Sequence, residues 1–344
     1  MSTKNVILNI TPISARFSFW GLPNPFFCLM NMPRLLPYRR QTLGLFAAAS
    51  LLLATGCAAP RAITTSGKVT PLHEFRAGYN QGYNIATAPL AKAGTALKDA
   101  AQAAASSSSA GDSVRYDSSI KNLQAAALAY LLDPVQGNAD FFLRYGALPR
   151  LDVGYKYAFG SHVFDAQYQL LGPTGTPENP GRGAGTGTTY ASVGLQFATQ
   201  RAKLPGFAFL DNINSVLNFS ASRNDLIIPL TISHSFGAEE EAGAFSYGLV
   251  YAHSWVKYGF APGNIYTDNG QLLPALPNQR RNYSSFGGFV NLKLGYRYVY
   301  FVPALSVFYQ NYGDYALLNG QSTSLSGLTV VPSLGVQLRL PAKW

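Results

Sequence analysis

Residues 290–298 read Val290-Asn291-Leu292-Lys293-Leu294-Gly295-Tyr296-Arg297-Tyr298. Every second residue is apolar or aromatic, and the residues between are Asn, Lys, Gly and Arg. Successive side chains of a β-strand point to opposite faces, so this stretch has one greasy wall and one polar wall. The same period recurs on both sides of it. Leu151, Val153, Tyr155, Tyr157 and Phe159 alternate with Asp152, Gly154, Lys156 and Ala158. Phe164, Ala166, Tyr168 and Leu170 alternate with Asp165, Gln167 and Gln169. Ala191 to Phe197, Phe245 to Tyr251 and Leu334 to Trp344 repeat the pattern. A half-buried strand of a soluble sandwich alternates in the same way. Here, however, the apolar face of all six stretches carries no charge, as hydrocarbon demands.

Ten candidate strands follow: 139–147, 151–159, 163–171, 190–199, 213–222, 226–236, 244–257, 285–297, 299–310 and 327–340. Eight or twelve strands also fit the pattern. The expected fold is all-β, an antiparallel up-and-down transmembrane β-barrel over residues 139–344. An even count puts both ends of the barrel on one side. The connections around 172–189, 258–284 and 311–326 are long and fall on the outer side in this numbering. Those at 160–162 and 298 are short and fall on the inner side, the asymmetry usual for such barrels. The stretch 200–212 is the misfit, thirteen residues where a short inner turn is expected. Tyr145, Trp255 and Tyr309 are placed near outer strand ends. Tyr157, Phe159, Tyr298 and Trp344 are placed near inner ones, at headgroup level.

Composition agrees. Of 344 residues 12% are charged, half the share of an ordinary domain, while aromatics reach 13% with 21 Tyr and 21 Phe. After the export segment the longest unbroken apolar run is Ala125–Leu132, far short of the roughly 20 residues of a membrane-spanning helix. The net charge of +10 falls to +5 without residues 1–56, which hold five basic residues and no acid. That is too little to point to nucleic acid. Two cysteines, Cys28 and Cys57, leave no disulfide after cleavage at Cys57 and no Cys/His metal cluster. No cofactor is expected.

The export segment is ordered. Arg34, Arg39 and Arg40 precede the apolar core Leu43–Leu53, and Leu53-Ala54-Thr55-Gly56-Cys57 closes it. This resembles the lipobox of bacterial lipoproteins, which implies diacylation of Cys57 and a start of the mature chain there. The spacing of apolar residues before Trp344, with Leu338 and Leu340, resembles the C-terminal insertion signal of Gram-negative outer-membrane barrels. Together the resemblances imply an outer-membrane lipoprotein anchored on the periplasmic side. They imply outer-membrane lipid, the barrel assembly machinery and the lipoprotein export machinery as partners. Residues 1–31 form an extension or a mis-assigned start, and 32–56 the signal peptide.

Residues 57–138 are expected to be a lipidated tether followed by a short helical periplasmic segment. Ala58–Pro71 reads as tether and 86–105 as Ala-rich helix. In 118–132, Ile120, Leu123, Ala127 and Leu131 recur at helical spacing until Asp133-Pro134 stops them. The helices lie below the barrel, plug its lumen, or form a mobile spacer.

Chemistry is sparse. Outer-membrane lipid hydrolases place His and Ser two apart on one strand, but His162, His234 and His253 have Phe164, Phe236 and Trp255 at that spacing. Gly181-Arg182-Gly183-Ala184-Gly185-Thr186-Gly187 lacks the lysine of a phosphate loop and reads as an outer loop. Glu239-Glu240-Glu241 reads as a solvated turn. Seven charges fall on the polar face: Arg144, Asp152, Lys156, Asp165, Lys293, Arg297 and Arg339. Five bases against two acids would favour anions if water filled the lumen; otherwise they form internal ion pairs. A closed structural or surface-interaction barrel with long outer loops is the favoured reading. The alternative is a narrow pore for small polar or anionic solutes, and a membrane-embedded lipid-modifying enzyme ranks last.

Overall fold

The computed structural model describes residues 61–87, 114–115, 118–158, 160–202, 217–263, 265–267 and 269–342. All belong to Phe46–Trp344, one of two units into which the chain divides. Cys57, Phe159, Trp344 and the Ala-rich stretch from residue 88 lie outside the described residues.

Ten antiparallel strands close into a barrel. They are β1 (Phe75–Ala86), β2 (Gln136–Leu148), β3 (Leu151–Ala158), β4 (Ser161–Leu171), β5 (Thr189–Ala202), β6 (Phe219–Ser235), β7 (Gly243–Phe260), β8 (Leu276–Tyr296), β9 (Val299–Ala316) and β10 (Ser322–Leu340). Each pairs with its neighbours in sequence, and β1 closes the ring against β10. The expected class and count therefore stand, but the ten strands are not the ten expected. Phe75–Ala86, assigned to the periplasmic segment, is β1, so the barrel begins at residue 75 and not at 139. Its outward row Phe75, Ala77, Tyr79, Gln81, Tyr83 and Ile85 faces away from Arg76, Gly78, Asn80, Gly82 and Asn84. Conversely, the two strands expected at 213–222 and 226–236 are one, β6. Arg223-Asn224-Asp225 resembles a turn, yet Arg223 and Asp225 are buried and bonded to each other at 2.7 Å inside the barrel.

One strand gained early and one lost in the middle restore the count but exchange the ends of everything between them. We call the rim where β1 begins and β10 ends proximal, and the opposite rim distal. The connections 149–150, 172–188, 236–242 and 297–298 are proximal. The connections 87–135, 159–160, 203–218, 261–275 and 317–321 are distal. The misfit at 200–212 thus dissolves, since that connection is on the long-loop side. The glycine-rich stretch 181–187 moves to the proximal side. Tyr145 registers with Phe75 at the proximal rim and Tyr157 with His162 at the distal one, the reverse of their expected places.

The parity of the walls is as expected. Leu338 is 40% exposed and its neighbour Gln337 only 7%. Val290, Leu294 and Tyr296 are exposed beside buried Asn291 and Lys293. From Val299 to Tyr309 the outer wall of β9 is apolar. Ten residue steps tilted at about 40° span the roughly 25 Å apolar band of a membrane barrel. Charge returns on the wall at Lys257, Arg280 and Asp314, all distal of Trp255 and Tyr309.

α1 (Ser118–Leu132) is the expected helix, ended by Asp133-Pro134. The Asp133 amide makes the last helical bond, to the Ala129 carbonyl at 3.0 Å, and Pro134 has no amide to continue. Ile120, Leu123, Leu128, Leu131 and Leu132 pack on Tyr258, Tyr283, Tyr312, Tyr315 and Leu317. These aromatics line one side of the distal mouth, so α1 caps that side of it and lies away from the proximal rim where β1 begins and β10 ends.

Candidate functional site

The interior is the part of this molecule built from polar chemistry, and its central element is the segment expected to be a tether. Residues 61–70 are buried along almost their whole length. They run inside the barrel, and the wall residues hold them. The Gly67 amide donates to Ser233 Oγ at 3.0 Å and the Thr70 amide to Asp152 Oδ2 at 2.7 Å. The Val69 amide donates to Gln169 Oε1 at 3.2 Å. In the other direction Gln167 Nε2 donates to the Ser66 carbonyl at 2.7 Å, and Asn291 Nδ2 to the Thr65 carbonyl at 3.0 Å. Arg76 Nη1 and Nη2 donate to the carbonyls of Lys68 and Val69. Such a strand has no β-partner, so its buried backbone groups need side-chain partners, and the polar face of the barrel supplies them. Ile63 packs among Ile227, Val250, Phe289 and Phe308. Gly67 is required by close approach, because a Cβ there would lie 2.6 Å from the Tyr190 carbonyl oxygen.

At the proximal end two connections fold inward and meet this thread. Glu239 and Glu240 are buried, contrary to the solvated turn expected of them. Glu239 pairs with Lys68 and accepts the amides of Gly175 and Gly181 at 3.0 and 2.8 Å. Glu240 pairs with Lys293 at 3.0 Å and accepts from Ser66 Oγ, also at 3.0 Å. Arg339 bonds to Glu74 and Glu178, both at 2.6 Å. Glu178 lies in a connection outside the strands, and the hydrogen bonds from Arg339 hold its carboxyl down, to about 2. Arg144 pairs with Asp152 at 2.6 Å and Asp165 at 2.8 Å.

At the distal end Asp133 collects the thread's other terminus. Arg61 Nη1 reaches it at 2.5 Å, Asn84 at 2.6 Å, Tyr312 at 2.8 Å and Gln310 at 2.9 Å, with Thr329 also bonded. Arg223 donates to the Leu132 carbonyl at 2.6 Å and ties the helix end to the wall.

Of the seven charges assigned to the lumen, Arg144, Asp152, Lys156, Asp165, Lys293 and Arg339 are buried there. Arg297 is not among them. It sits at positive φ in the proximal turn, partly exposed, and its guanidinium donates to Glu241 at 2.5 Å. That bond raises Arg297 above and lowers Glu241 below their ordinary ranges. The sequence reading missed Arg61, Lys68, Glu74, Asp133, Glu178, Glu239 and Glu240. The excess of inward bases was the available signal, because a narrow interior needs acids to match them.

All four histidines face outward beside hydroxyl groups, His73 from the turn before β1 and the other three from the wall. His73 meets Tyr145 at 3.0 Å, His162 meets Tyr155 at 2.8 Å, His234 meets Thr189 at 3.1 Å and His253 meets Ser284 at 3.0 Å. Among the described residues no group of three acidic, His or Cys side chains could hold a metal ion. A small void of about 10 Å³ between the thread and Phe142, Arg144, Lys156, Asp165 and Gln196 has room for one water.

No protein-family profile and no curated protein matches the chain. Among solved structures it is similar to neisserial surface protein A, at 7% identity and a TM-score of 0.28, over 77% of this chain and 96% of that one. It is similar to Ail, the attachment invasion locus protein of Yersinia pestis, at 10% identity and 0.27, over 79% and 100%. The translocator domain of the autotransporter NalP from Neisseria meningitidis aligns at 7% and 0.32, over 88% and 95%. Likenesses this distant carry no argument about function.

Proposed function

We propose that this protein is a closed, self-plugged outer-membrane β-barrel lipoprotein with a structural or surface-interaction role. The outer wall carries the membrane part of the reading, since its apolar band with aromatic rims suits a bilayer and nothing else at this size. The threaded segment 61–70 carries the closed part. Charges that would select anions in an open pore are instead joined in ion pairs with Glu74, Glu178, Glu240 and each other. A barrel of ten strands has little interior to spare once a chain segment runs through it. The interaction surface is then the distal rim, with its three long connections 87–135, 203–218 and 261–275. Cys57 is the lipidation site in this reading. The assembly machinery would receive the C-terminal signal that includes Leu338, Leu340 and Trp344, and the lipoprotein export machinery the acylated N-terminus. Surrounding outer-membrane lipid completes the set of partners.

Planar-bilayer recording of the purified full chain tests closure. The expected result is no steady conductance in molar salt at moderate voltage. A stable ohmic conductance from most inserted barrels would overturn the closed reading in favour of a pore.

A further inference from the structure

The direction of the thread has a consequence for where the chain upstream of it goes. Thr70 is held by Asp152, next to the proximal turn 149–150, and the chain reverses through residues 71–74 into β1. Arg61 is at the other end, bonded to Gln310, the neighbour of Tyr309 in the distal aromatic rim. Nine residue steps separate them, and the chain bends at Gly67 and Lys68 on the way. The thread therefore runs from the level of the distal aromatic rim, where Arg61 meets Gln310, to the proximal mouth, where Thr70 meets Asp152. The lumen beneath Arg61 is filled by residues 62–70 and the side chains that hold them, so it offers the upstream chain no way back.

We propose that the chain runs through its own barrel so that the segment upstream of Arg61, with the acyl anchor at Cys57, emerges at the cell surface. The lipid part rests on the lipoprotein reading above; the threading does not. Distance decides the leaflet. Four residue steps separate Cys57 from Arg61, a reach of at most about 14 Å. A diacylglyceryl group in the periplasmic leaflet would need a descent of about 30 Å from Arg61. The outer leaflet, level with the Trp255 and Tyr309 rim, is within reach. On this proposal a surface anchor takes the place of the periplasmic one that the signal alone leads one to expect, and the barrel is the conduit of its own N-terminus.

Single-cysteine labelling of the full chain in cells tests this. Ala59→Cys, Ser322→Cys at the distal rim and Thr186→Cys at the proximal rim are each exposed to a membrane-impermeant maleimide, with the wild-type chain setting the background. Ala59→Cys should label in intact cells to the same extent as Ser322→Cys. Thr186→Cys should label only after the outer membrane is permeabilised. Labelling of Ala59→Cys only after permeabilisation, or in neither state, overturns the proposal. So does labelling of Thr186→Cys in intact cells, which would turn the barrel over. Mass spectrometry of the N-terminal peptide reads the lipid separately: an unacylated Cys57 with Ala59→Cys still labelled at the surface sinks the lipoprotein reading and leaves the threading intact.

Discussion

Arg61 and Asp133 lie 72 residues apart in sequence and join at 2.5 Å inside the barrel. The bond ties the distal end of the luminal thread to the residue that ends the cap helix. Both side chains are almost wholly buried, so each depends on the other and on the hydrogen bonds around them. Removing one partner of a buried pair costs about 3–5 kcal/mol, because the remaining charge is stranded. Asp133→Ala should therefore lower the temperature at which the folded band on a gel converts to the unfolded one. It also strands Asn84, Tyr312 and Gln310. Asp133→Asn keeps one carbonyl acceptor and should be milder. Asp133→Ala combined with Arg61→Met should recover part of the loss. Equal stability of Asp133→Ala and wild type would show that the thread is not seated at this site.

The barrel was legible because a wall between lipid and lumen imposes period two on every strand that spans it. Six stretches show that period, and each falls in a strand over its described residues except at 297–298, which turn, and at 341–342, which follow β10. β1 was harder to see because Gln81 interrupts its outward row and because the sequence before it reads as tether. Arg223-Asn224-Asp225 reads as a break between strands because three polar residues in a row leave the outward position to Asn224; the lumen satisfies Arg223 and Asp225 instead. The interior was only half legible. Wall charges follow the strand period, but Arg61, Lys68, Glu178, Glu239 and Glu240 come from connections, where no period exists. Only the need of Lys293 and Arg339 for acidic partners pointed to them.

The bond between Arg339 and Glu178 should make the proximal connection 172–188 sensitive to pH. The Glu178 carboxyl is held at about 2, below its ordinary 4.5, by hydrogen bonds from Arg339. A depressed carboxyl contributes stability above its unfolded value, and that contribution is lost as pH falls through the folded one. The bond is thus complete above about pH 4.5 and gone below about 2. Glu178 is 39% exposed, so solvent screens the pair and the effect is local. Hydrogen-exchange protection of residues 172–188 should drop across that window while the strands stay protected. Glu178→Gln should show the low-pH behaviour at pH 7 and lose the pH dependence. Protection unchanged from pH 5 to 2 would contradict the assignment.

The inside-outside parity has its own test at Leu292 and Lys293. Lys293 is 4% exposed and faces Glu240, while Leu292 lies in the outward row between exposed Val290 and Leu294. Arginine on the lipid face near mid-bilayer costs about 2–4 kcal/mol. Leu292→Arg should weaken or abolish the heat-modifiable folded band, and Lys293→Arg should leave it nearly unchanged. Leu338→Arg against Gln337→Arg repeats the comparison in β10, with Arg339 as a like-charged neighbour of position 337. Equal damage at 292 and 293 would refute the parity.

Membrane residence should not depend on the lipid. The apolar band of the outer wall, between its aromatic rims, is enough to hold the protein in a bilayer once folded. A Cys57→Ser chain that folds should sediment with outer membranes and resist carbonate extraction. Its release into the soluble fraction as a folded barrel would contradict a transmembrane wall and leave the lipid as the sole anchor.

The central claim is that residues 61–70 occupy the lumen, and hydrogen exchange of the intact barrel measures it most directly. The amides of Gly67, Val69 and Thr70 donate to Ser233, Gln169 and Asp152, and water reaches them only if the thread leaves its place. Opening to global unfolding governs exchange at such sites. Peptides covering 61–70 should exchange as slowly as those of β6 and β10, over hours in detergent at neutral pH. Exchange within seconds, at the rate of a free peptide and with the strands still protected, would show an unthreaded lumen and contradict the account.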